Sequence, residues 1–283
     1  MNTNHNSKST HKTSLIPLSG GGGATILDKI IAEKRLEIAR RKAEKSVSEL
    51  ENELNFNRKC LSLKENLQVS DSGIIAEFKR KSPSKGWIHQ NADARIIPAG
   101  YCKVGASGIS ILTDEQFFGG TPQDLMTARP LVDCPVLRKE FIVDEYQLFE
   151  AKAMGADVIL LIASALSVDE TKDLAKQAKA LGLEILLEIH NKEELAHINE
   201  FVDMVGVNNR NLKTFEVSID ISKELANLIP DEFVKISESG ISNPETVIEL
   251  RKYGYKGFLM GENFMKTENP VDALRNFIKL LAL

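Results

Sequence analysis

The chain lacks the features that mark disulfide-rich, zinc-binding, membrane-spanning and nucleic-acid-binding proteins. Its three cysteines, Cys60, Cys102 and Cys134, are far apart and form no CxxC pair, so neither a disulfide framework nor a zinc site is expected. No apolar run is long enough to span a membrane. The net charge of −4 does not favour a basic face for nucleic acid. We therefore expect a cytoplasmic protein without a membrane or nucleic-acid partner.

Residues 1–24 contain no acidic residue and no arginine, and they are rich in Asn, Ser, Thr and Gly. This composition predicts a disordered extension with a flexible hinge at residues 20–23. The segment has no long apolar core that would suit a secretory signal, whereas a transit peptide and an engineered linker remain alternatives. Residues 25–283, in a chain that is 42% hydrophobic and 27% charged, are expected to form a single globular domain.

From Thr25 onward, short apolar stretches alternate with segments of helical periodicity. The helical segments carry start and stop signals, because Ser167 and Asn243 stand at N-cap positions, while Gly155 and Gly182 follow the last helical residues. Between the helical segments lie eight strand candidates that recur at intervals of roughly 20 to 30 residues. The predicted strands are 74–79, 108–112, 136–139, 158–162, 185–189, 204–208, 234–238 and 257–260.

Eight such units in roughly 250 residues favour a closed (β/α)₈ barrel, an α/β fold with a parallel sheet. A doubly wound open sheet is the structural alternative, and it usually has a glycine-rich dinucleotide loop after its first strand. The residues that follow the first predicted strand here read K-S-P-S-K-G instead. Ahead of the barrel, residues 26–54 are predicted to form an extra helix that caps the barrel or contacts its mouth, the end at which the carboxyl ends of the strands meet.

Ionisable and amide side chains stand at the carboxyl ends of five predicted strands. In a parallel barrel these ends surround the active site. Any single charge there is most simply a solvated strand end, but a set that converges on one mouth needs partners or a substrate. Glu77 and Lys79 are two residues apart, so their side chains point to the same side of the strand. The set comprises Glu77, Lys79, Lys139, Glu188, Asn208 and Arg210, with the S-E-S-G-I end of the seventh strand.

Small residues follow the last two predicted strands. Ser239, Gly240 and Gly261 allow an anion to approach the backbone N–H groups, and residues 262–265 suit a short extra helix. In many barrels a phosphate binds at this place, at the N-terminus of such a helix. The dipeptides Ser239-Gly240 and Gly261-Glu262 are each equally consistent with a plain turn. The prediction of a phosphate site therefore rests on their position after strands seven and eight.

These segments together resemble the indole-3-glycerol-phosphate synthase family of tryptophan biosynthesis. The resemblance runs from about Thr25 to the C-terminus, with the segments in order at matching strand ends. The chain departs from the family pattern in its N-terminal extension and at Glu262, where some members have serine. The segments are A-E-F-K-R-K-S-P-S-K-G, G-I-S-I-L-T-D-E-Q-F-F-G-G, L-R-K-E-F-I-V-D-E-Y-Q, L-L-E-I-H, G-V-N-N-R-N-L-K-T-F-E-V and S-E-S-G-I.

The resemblance implies a carboxy-lyase that closes the indole ring of 1-(2-carboxyphenylamino)-1-deoxyribulose 5-phosphate with loss of carbon dioxide and water. It needs no cofactor and no metal ion. Lys139 is expected to be the general acid at the ketone, with a pKa lowered by nearby cations and an apolar wall. Lys79, held by Glu77, is expected near the carboxylate and the dehydration step, and Glu188 is expected to be the base or proton shuttle in the dehydration.

The family pattern adds further residues to the active site. Asn208 and Arg210 are expected to orient the substrate, and Glu238 joins the catalytic set. Phe118 and Leu160, or Leu161 in its place, are expected to contact the aromatic ring, although ordinary core packing explains Phe118 and Leu160 equally well. Phosphate is assigned to Lys81, Ser239, Gly240, Gly261 and Glu262. The complete substrate-binding set is Arg210, Ser82, Lys81, Phe118, Phe141, Leu160, Ser239, Gly240, Leu259, Gly261 and Glu262.

Two alternative functions remain beside this one. A phosphoribosylanthranilate isomerase needs a cysteine base on strand one and an aspartate on strand six, where this chain has Glu77 and Lys79, and Asn208. A barrel without activity that serves as a scaffold does not need the acid–base set. His190 is expected to face away from Glu188, so no metal ion is shared between them. The expected partner is a phosphorylated small molecule, and the chain is expected to be a monomer or a weak homodimer.

Overall fold

The computed structural model describes residues 25–211, 214 and 216–282. The predicted disordered extension, residues 1–24, lies outside the described residues. In the part of the chain that is described, no helix is both long and apolar enough to cross a lipid bilayer.

Eight parallel strands close into a barrel in which each strand pairs with the next one along the chain and the last pairs with the first. This arrangement confirms the predicted (β/α)₈ barrel. All eight predicted strands are present, with boundary differences of one or two residues at the first, fifth and eighth. The strands are β1 Ile74–Phe78, β2 Gly108–Leu112, β3 Val136–Lys139, β4 Val158–Ile162, β5 Glu184–Ile189, β6 Met204–Asn208, β7 Val234–Glu238 and β8 Tyr255–Met260.

Apolar side chains fill the inside of the barrel below the mouth. Ile75, Leu137 and Leu186 belong to one buried cluster that also contains Leu63 and Leu67. These two leucines come from helix α3, Leu63–Val69, which closes the end opposite the mouth. Gly108, at the start of β2, makes room for this helix, because a Cβ there would lie 2.6 Å from Leu63 Cδ1.

The outside of the barrel is covered by helices whose ends carry the predicted chemistry. Ser167 and Asn243 cap their helices through hydrogen bonds from backbone N–H groups, and Gly155 ends its helix in the left-handed conformation. The segment after Asn191 forms the 3₁₀ turn Glu193–His197. The helices after α3 are α4 Ile97–Lys103, α5 Glu115–Phe118, α6 Pro122–Ala128, α7 Tyr146–Met154, α8 Val168–Ala180, α9 Asp220–Ala226, α10 Pro244–Arg251, α11 Glu262–Met265 and α12 Pro270–Leu281.

The predicted N-terminal helix, residues 26–54, is two helices, so the single-helix expectation is wrong in this detail. Helix α1 covers Ile26–Glu44 and helix α2 covers Val47–Glu51. The break occurs because Lys45 is extended and Ser46 starts a new helix through a reciprocal capping box with Glu49.

Helix α1 contacts the mouth of the barrel, which is one of the two positions expected for the extra N-terminal helix. The ammonium of Lys34 is buried and lies 3.0 Å from carboxylate oxygens of Asp114 and Glu140, which follow β2 and β3. Asp114 also caps α5, and Glu140 is the residue after Lys139. A buried ion-pair cluster therefore connects the N-terminal helix to two loops that carry predicted site residues.

Candidate active site

A cavity of about 700 Å³ opens at the mouth of the barrel. It is lined by side chains from every part of the predicted site, including the acid–base set, the apolar wall and the glycine-containing turns. Of the predicted site residues, Lys81 alone does not line it. Those that do are Lys139, Lys79, Glu188, Glu77, Asn208, Glu238, Arg210, Ser82, Phe118, Phe141, Leu160, Ser239, Gly240, Leu259, Gly261 and Glu262.

Lys139 lies at the centre of the acid–base set. Its Nζ is 2.6 Å from Glu238 Oε2 and 3.1 Å from Glu188 Oε2. The three side chains come from β3, β7 and β5, and both carboxylates are almost fully buried. Parallel strands that end at the same mouth bring these groups together, although they are far apart in the chain.

The expected lowering of the pKa of Lys139 is wrong. Burial of the amine favours the neutral form, but the carboxylates of Glu238, Glu188 and Glu77 outweigh this effect and raise the pKa of Lys139. The expectation assumed a crowd of cations around this lysine, whereas its neighbours in the fold are carboxylates. The amine is therefore a protonated donor throughout the neutral pH range.

The two carboxylates that share Lys139 have opposite pKa shifts. Burial raises the pKa of Glu238 to about 7, against the pull of Lys139. Burial has the same tendency at Glu188, but there Lys139 and His190 dominate and lower the pKa of the carboxyl group. Environments that separate the pKa values of two neighbouring carboxyl groups create one proton donor and one proton acceptor near neutral pH.

Glu77 and Lys79 form the predicted pair on the same side of β1 and just beyond it. Lys79 Nζ lies 2.8 Å from Glu77 Oε1. The backbone of Gly261 packs against Glu77, because a Cβ at residue 261 would lie 2.6 Å from Glu77 Oε1 and 2.9 Å from its Cβ. The glycine after β8 therefore gives Glu77 its space, in addition to any role that its own N–H has in binding.

Asn208 connects the carboxylate of Glu188 to the loop after β6. Its Nδ2 donates a hydrogen bond of 3.1 Å to Glu188 Oε1, and its Oδ1 accepts one of 3.0 Å from the backbone N–H of Arg210. The side chain amide thus holds Glu188 from one side and orients the chain segment that carries the cavity-lining Arg210.

The expected phosphate end of the cavity contains two residues with left-handed backbone. Ser239 and Gly240 both adopt positive φ, +67° and +74°. Gly261 precedes the short helix α11, whose position and length match the expectation. Two lysines that sequence reasoning did not assign, Lys85 and Lys266, line the same cavity and place cationic side chains around it.

Lys81 does not reach the cavity in this structure. Its Nζ donates a hydrogen bond to the carbonyl oxygen of Gln116 at 2.8 Å and lies 5.6 Å from the centre of the Trp87 ring. Lys81 and Ser82 form one arm of a small antiparallel ribbon, in which successive side chains face opposite sides. Ser82 faces the cavity, so Lys81 faces away from it.

An apolar wall forms part of the cavity lining. The rings of Phe118 and Phe141 have centroids 6.0 Å apart, and Leu160 of β4 and Leu259 of β8 line the same cavity. Leu160 belongs to the cluster inside the barrel, whereas Leu161 packs in the cluster under the outer helices. Leu160 therefore lines the cavity and Leu161 does not.

His190 was expected to face away from Glu188, and this expectation is wrong. Its Nε2 lies 3.2 Å from Glu188 Oε1 and its Nδ1 lies 3.2 Å from Glu194 Oε2. Residues 188 and 190 are two positions apart, so an extended backbone places both side chains on one side. The two-residue spacing in the sequence is therefore sufficient to predict that His190 and Glu188 lie on the same side.

The cavity also contains a residue whose role no local pattern indicated. Glu140 lines it and is fully buried beside Lys34, Arg138 and Thr113, and these neighbours lower the pKa of its carboxyl group although burial alone would raise it. Thr113 Oγ1 donates a hydrogen bond of 2.7 Å to Glu140 Oε2. Such a cluster forms only when distant segments meet, so the sequence alone does not identify it.

A closed parallel barrel whose mouth joins an acid–base set to a glycine-lined pocket defines the class of (β/α)₈-barrel enzymes. Two solved structures share this fold: the Pyrococcus furiosus tryptophan synthase α2β2 complex, at 16% identity and a TM-score of 0.54 over 75% of this chain and 98% of that one, and the 3-hexulose-6-phosphate synthase of Salmonella typhimurium, at 14% and 0.57 over 74% and 98%. At these identities the likeness extends to the fold alone.

Sequence relatives define the family more narrowly. The family model described as indole-3-glycerol phosphate synthase matches residues 27–277. The curated indole-3-glycerol phosphate synthase of Bacteroides thetaiotaomicron is 54% identical over 256 residues, which cover 90% of this chain and 98% of that protein. The same-named enzyme of Thermoanaerobacter pseudethanolicus is 40% identical over 255 residues, with 90% and 97% covered. The chain belongs to the indole-3-glycerol phosphate synthase family, the carboxy-lyases of that step in tryptophan biosynthesis.

Proposed function

We propose that the chain converts 1-(2-carboxyphenylamino)-1-deoxyribulose 5-phosphate to indole-3-glycerol phosphate, carbon dioxide and water. The observation that carries this proposal is the position of Lys139. A protonated amine from β3 lies between Glu188 of β5 and Glu238 of β7, at the floor of a cavity that combines an apolar wall with cationic side chains.

The cavity matches the three parts of this substrate. Phe118, Phe141 and Leu160 provide the surface against which the carboxyphenyl ring packs. Lys79 and Arg210 provide cations for its carboxylate, and the planar guanidinium of Arg210 is suited to a bidentate contact. The ester phosphate binds at the turns of Ser239, Gly240, Gly261 and Glu262 after β7 and β8, with Ser82 on the facing ribbon.

Ring closure requires a proton donor at the ketone oxygen. The ring carbon that bears the carboxylate attacks the ketone carbon, and the oxygen takes a proton from the Lys139 ammonium to become a hydroxyl group. Carbon dioxide then leaves, and its bonding electrons restore the aromatic ring. The raised pKa of Lys139 keeps the donor loaded before the step, and a positioned general acid of this kind contributes roughly 10²- to 10⁴-fold to the rate.

Dehydration requires an acid at the hydroxyl group and a base at the neighbouring C–H bond. The hydroxyl leaves as water when Lys79, which is paired with Glu77, supplies a proton. Glu188 accepts the proton from carbon as the double bond of the indole forms, and its lowered pKa keeps it ionised for this task. Every proton transfer is assigned to a side chain of this chain, so we propose that neither a cofactor nor a metal ion takes part.

The proposal also covers the domain organisation, the location, the oligomeric state and the partners of the chain. Residues 25–283 work as one barrel domain, and the chain acts in the cytoplasm as a monomer or weak homodimer. Its partner is the phosphorylated substrate, without a nucleic acid or membrane partner.

A turnover assay with two substrates distinguishes this proposal from its alternatives. The purified chain is incubated with the carboxyphenylamino ribulose phosphate, and the fluorescence of the indole product is followed. In parallel it is incubated with phosphoribosylanthranilate. Indole formation from the first substrate supports the proposal, consumption of the second indicates the isomerase, and no turnover of either indicates a scaffold. Either of the last two results contradicts the proposal.

A further inference from the structure

His190 lies directly behind Glu188, outside the cavity. It follows β5, and its imidazole ring is enclosed between two carboxylates, with Nε2 at 3.2 Å from Glu188 Oε1 and Nδ1 at 3.2 Å from Glu194 Oε2. The side chain is only 9% exposed. Nε2 is buried, and the carboxylate of Glu188 is the acidic group in contact with it.

The outer carboxylate is fixed in place by its own turn. Glu194 Oε2 accepts a hydrogen bond of 2.7 Å from the backbone N–H of His190, and its Oε1 accepts one of 3.0 Å from Asn191 Nδ2. The backbone N–H of Glu194 donates in return to Asn191 Oδ1 at 3.0 Å. These three hydrogen bonds hold the Glu194 carboxylate beside the imidazole ring, and the ring lies between Glu194 and Glu188.

The groups that face Glu188 come from four segments. Lys139 of β3 contacts Oε2, Asn208 of β6 and His190 contact Oε1, and Glu238 of β7 adds a second negative charge nearby. Among these described neighbours, Lys139 and His190 are the two groups able to carry a positive charge. Lys139 is the group that gives up its proton in the proposed ring closure, and His190 is not in contact with the cavity.

We infer that His190 is a positioning residue, which as an imidazolium held between Glu188 and Glu194 keeps Glu188 an ionised carboxylate with a fixed orientation during the dehydration. This inference rests on the proposed function. When Lys139 has passed its proton to the substrate, its charge no longer stabilises Glu188. His190 then supplies a positive charge in contact with Glu188, so Glu188 stays available to accept the proton from carbon.

The electrostatics agree with this geometry. Burial works against a charged imidazole, but Glu188 and Glu194 outweigh it and raise the pKa of His190 to about 10. In turn His190, after Lys139, lowers the pKa of Glu188 through its side-chain contact and its charge. The imidazolium and the carboxylate thus stabilise each other across the neutral range.

The decisive experiment is the pH profile of kcat for the wild type and for the variant His190→Asn, which removes the charge and keeps an amide. The variant is expected to lose about tenfold in kcat at pH 7 with little change in KM, and the acid limb of its profile is expected to move to higher pH. His190→Lys, which restores a charge, is expected to recover part of kcat.

Two further variants complete the experiment, one as a control and one as a test of the role of Glu194. His197→Asn removes the other histidine of the same turn, whose ring nitrogens lie within hydrogen-bond distance of the backbone carbonyl oxygens of Glu194 and Leu166, so its kcat profile is expected to match the wild type. Glu194→Gln keeps the contact with Glu188 but lowers the pKa of His190, so the alkaline limb is expected to move down. A His190→Asn profile identical to the wild type, at full kcat, overturns the inference.

A titration that does not depend on activity tests the same point. In protein with ¹⁵N-labelled histidine, the His190 signal is assigned by its loss in His190→Asn. We expect this imidazole to stay doubly protonated above pH 8, and titration near 6.5 overturns the inference. If the wild type forms no indole product, the proposed function fails, while this titration still decides whether His190 and Glu188 form the charged pair.

Discussion

The Nζ of Lys139 lies 2.6 Å from Oε2 of Glu238, so a lysine from strand β3 and a glutamate from strand β7 form an ion pair in the lining of the cavity. Burial raises the pKa of Glu238, and the carboxylates around Lys139 raise the pKa of the amine. Both groups therefore hold their protons more strongly than in the unfolded chain. This makes Lys139 a general acid that is loaded at neutral pH and makes Glu238 a group that titrates there.

The raised pKa of Glu238 predicts a pH-dependent loss of stability. A carboxyl group with a pKa of about 7 in the folded chain, against an ordinary value of 4.5, binds more protons folded than unfolded between these pH values. The free energy of unfolding therefore falls as the pH rises from 4.5 to 7, by up to about 3 kcal/mol from this group. Urea unfolding at pH 5, 6, 7 and 8 measures the slope.

The variant Glu238→Gln isolates this contribution. Its stability relative to the wild type is expected to increase from pH 5 to pH 7 and to become constant above pH 8, whatever constant offset the loss of the ion pair with Lys139 adds. Parallel stability curves for the two proteins over this range would show that Glu238 has an ordinary pKa.

Gly261→Ala is expected to reduce kcat at least tenfold, because the new Cβ would lie 2.6 Å from Glu77 Oε1 and must displace the partner of Lys79. Overpacking of this kind also costs about 1–3 kcal/mol of stability. Gly182→Ala is the matched control: its φ of +75° makes it strained, but the added Cβ has no atom within 4 Å. It should lose stability and keep kcat, and equal kcat values for both variants would refute the packing argument.

Lys34→Met is expected to destabilise the protein by roughly 3–5 kcal/mol, because it removes the buried cation that pairs with Asp114 and Glu140 and leaves Arg138 as the cation beside Glu140. Lys42→Met, from the same helix, is the control. Its ion pair with Asp144 at 2.8 Å is partly exposed, so the cost should stay below about 1 kcal/mol. Chemical unfolding of both variants measures the difference, and similar costs would mean that the buried cluster does not attach α1 to the mouth.

Local patterns in the sequence were sufficient for the barrel and for most of its mouth. Apolar strands bounded by glycine and capping residues repeat along the chain, so the strands, and with them the residues at their ends, could be placed. The break between α1 and α2 was also readable, since Ser46 and Glu49 have the spacing of a capping box. The same holds for His190, whose two-residue distance from Glu188 fixes its side.

Properties that depend on contacts between distant segments could not be predicted from the sequence. The pKa of Lys139 depends on carboxylates from β1, β5 and β7, and the sequence does not show which charges surround an amine after folding. The burial of Lys34 depends on loops after β2 and β3. The direction of Lys81 depends on a two-residue ribbon that is too short to give a periodic pattern.

Removal of residues 1–24 is expected to leave kcat and the midpoint of thermal unfolding nearly unchanged. The composition of this segment places it outside the predicted globular domain, and the described cavity is lined by residues from Ile26 onward. Calorimetry and the indole assay on the shortened chain test this, and a large loss of either quantity would mean that the segment docks on the barrel.

The most direct test of the account is the rate of indole formation by Lys139→Ala, with the fold checked by circular dichroism and with Lys172→Ala, an exposed lysine paired with Glu200, as the control. The account predicts a loss of kcat of at least ~100-fold in Lys139→Ala and an unchanged rate in the control. A rate near that of the wild type in folded Lys139→Ala would contradict the assignment of the general acid and the mechanism built on it.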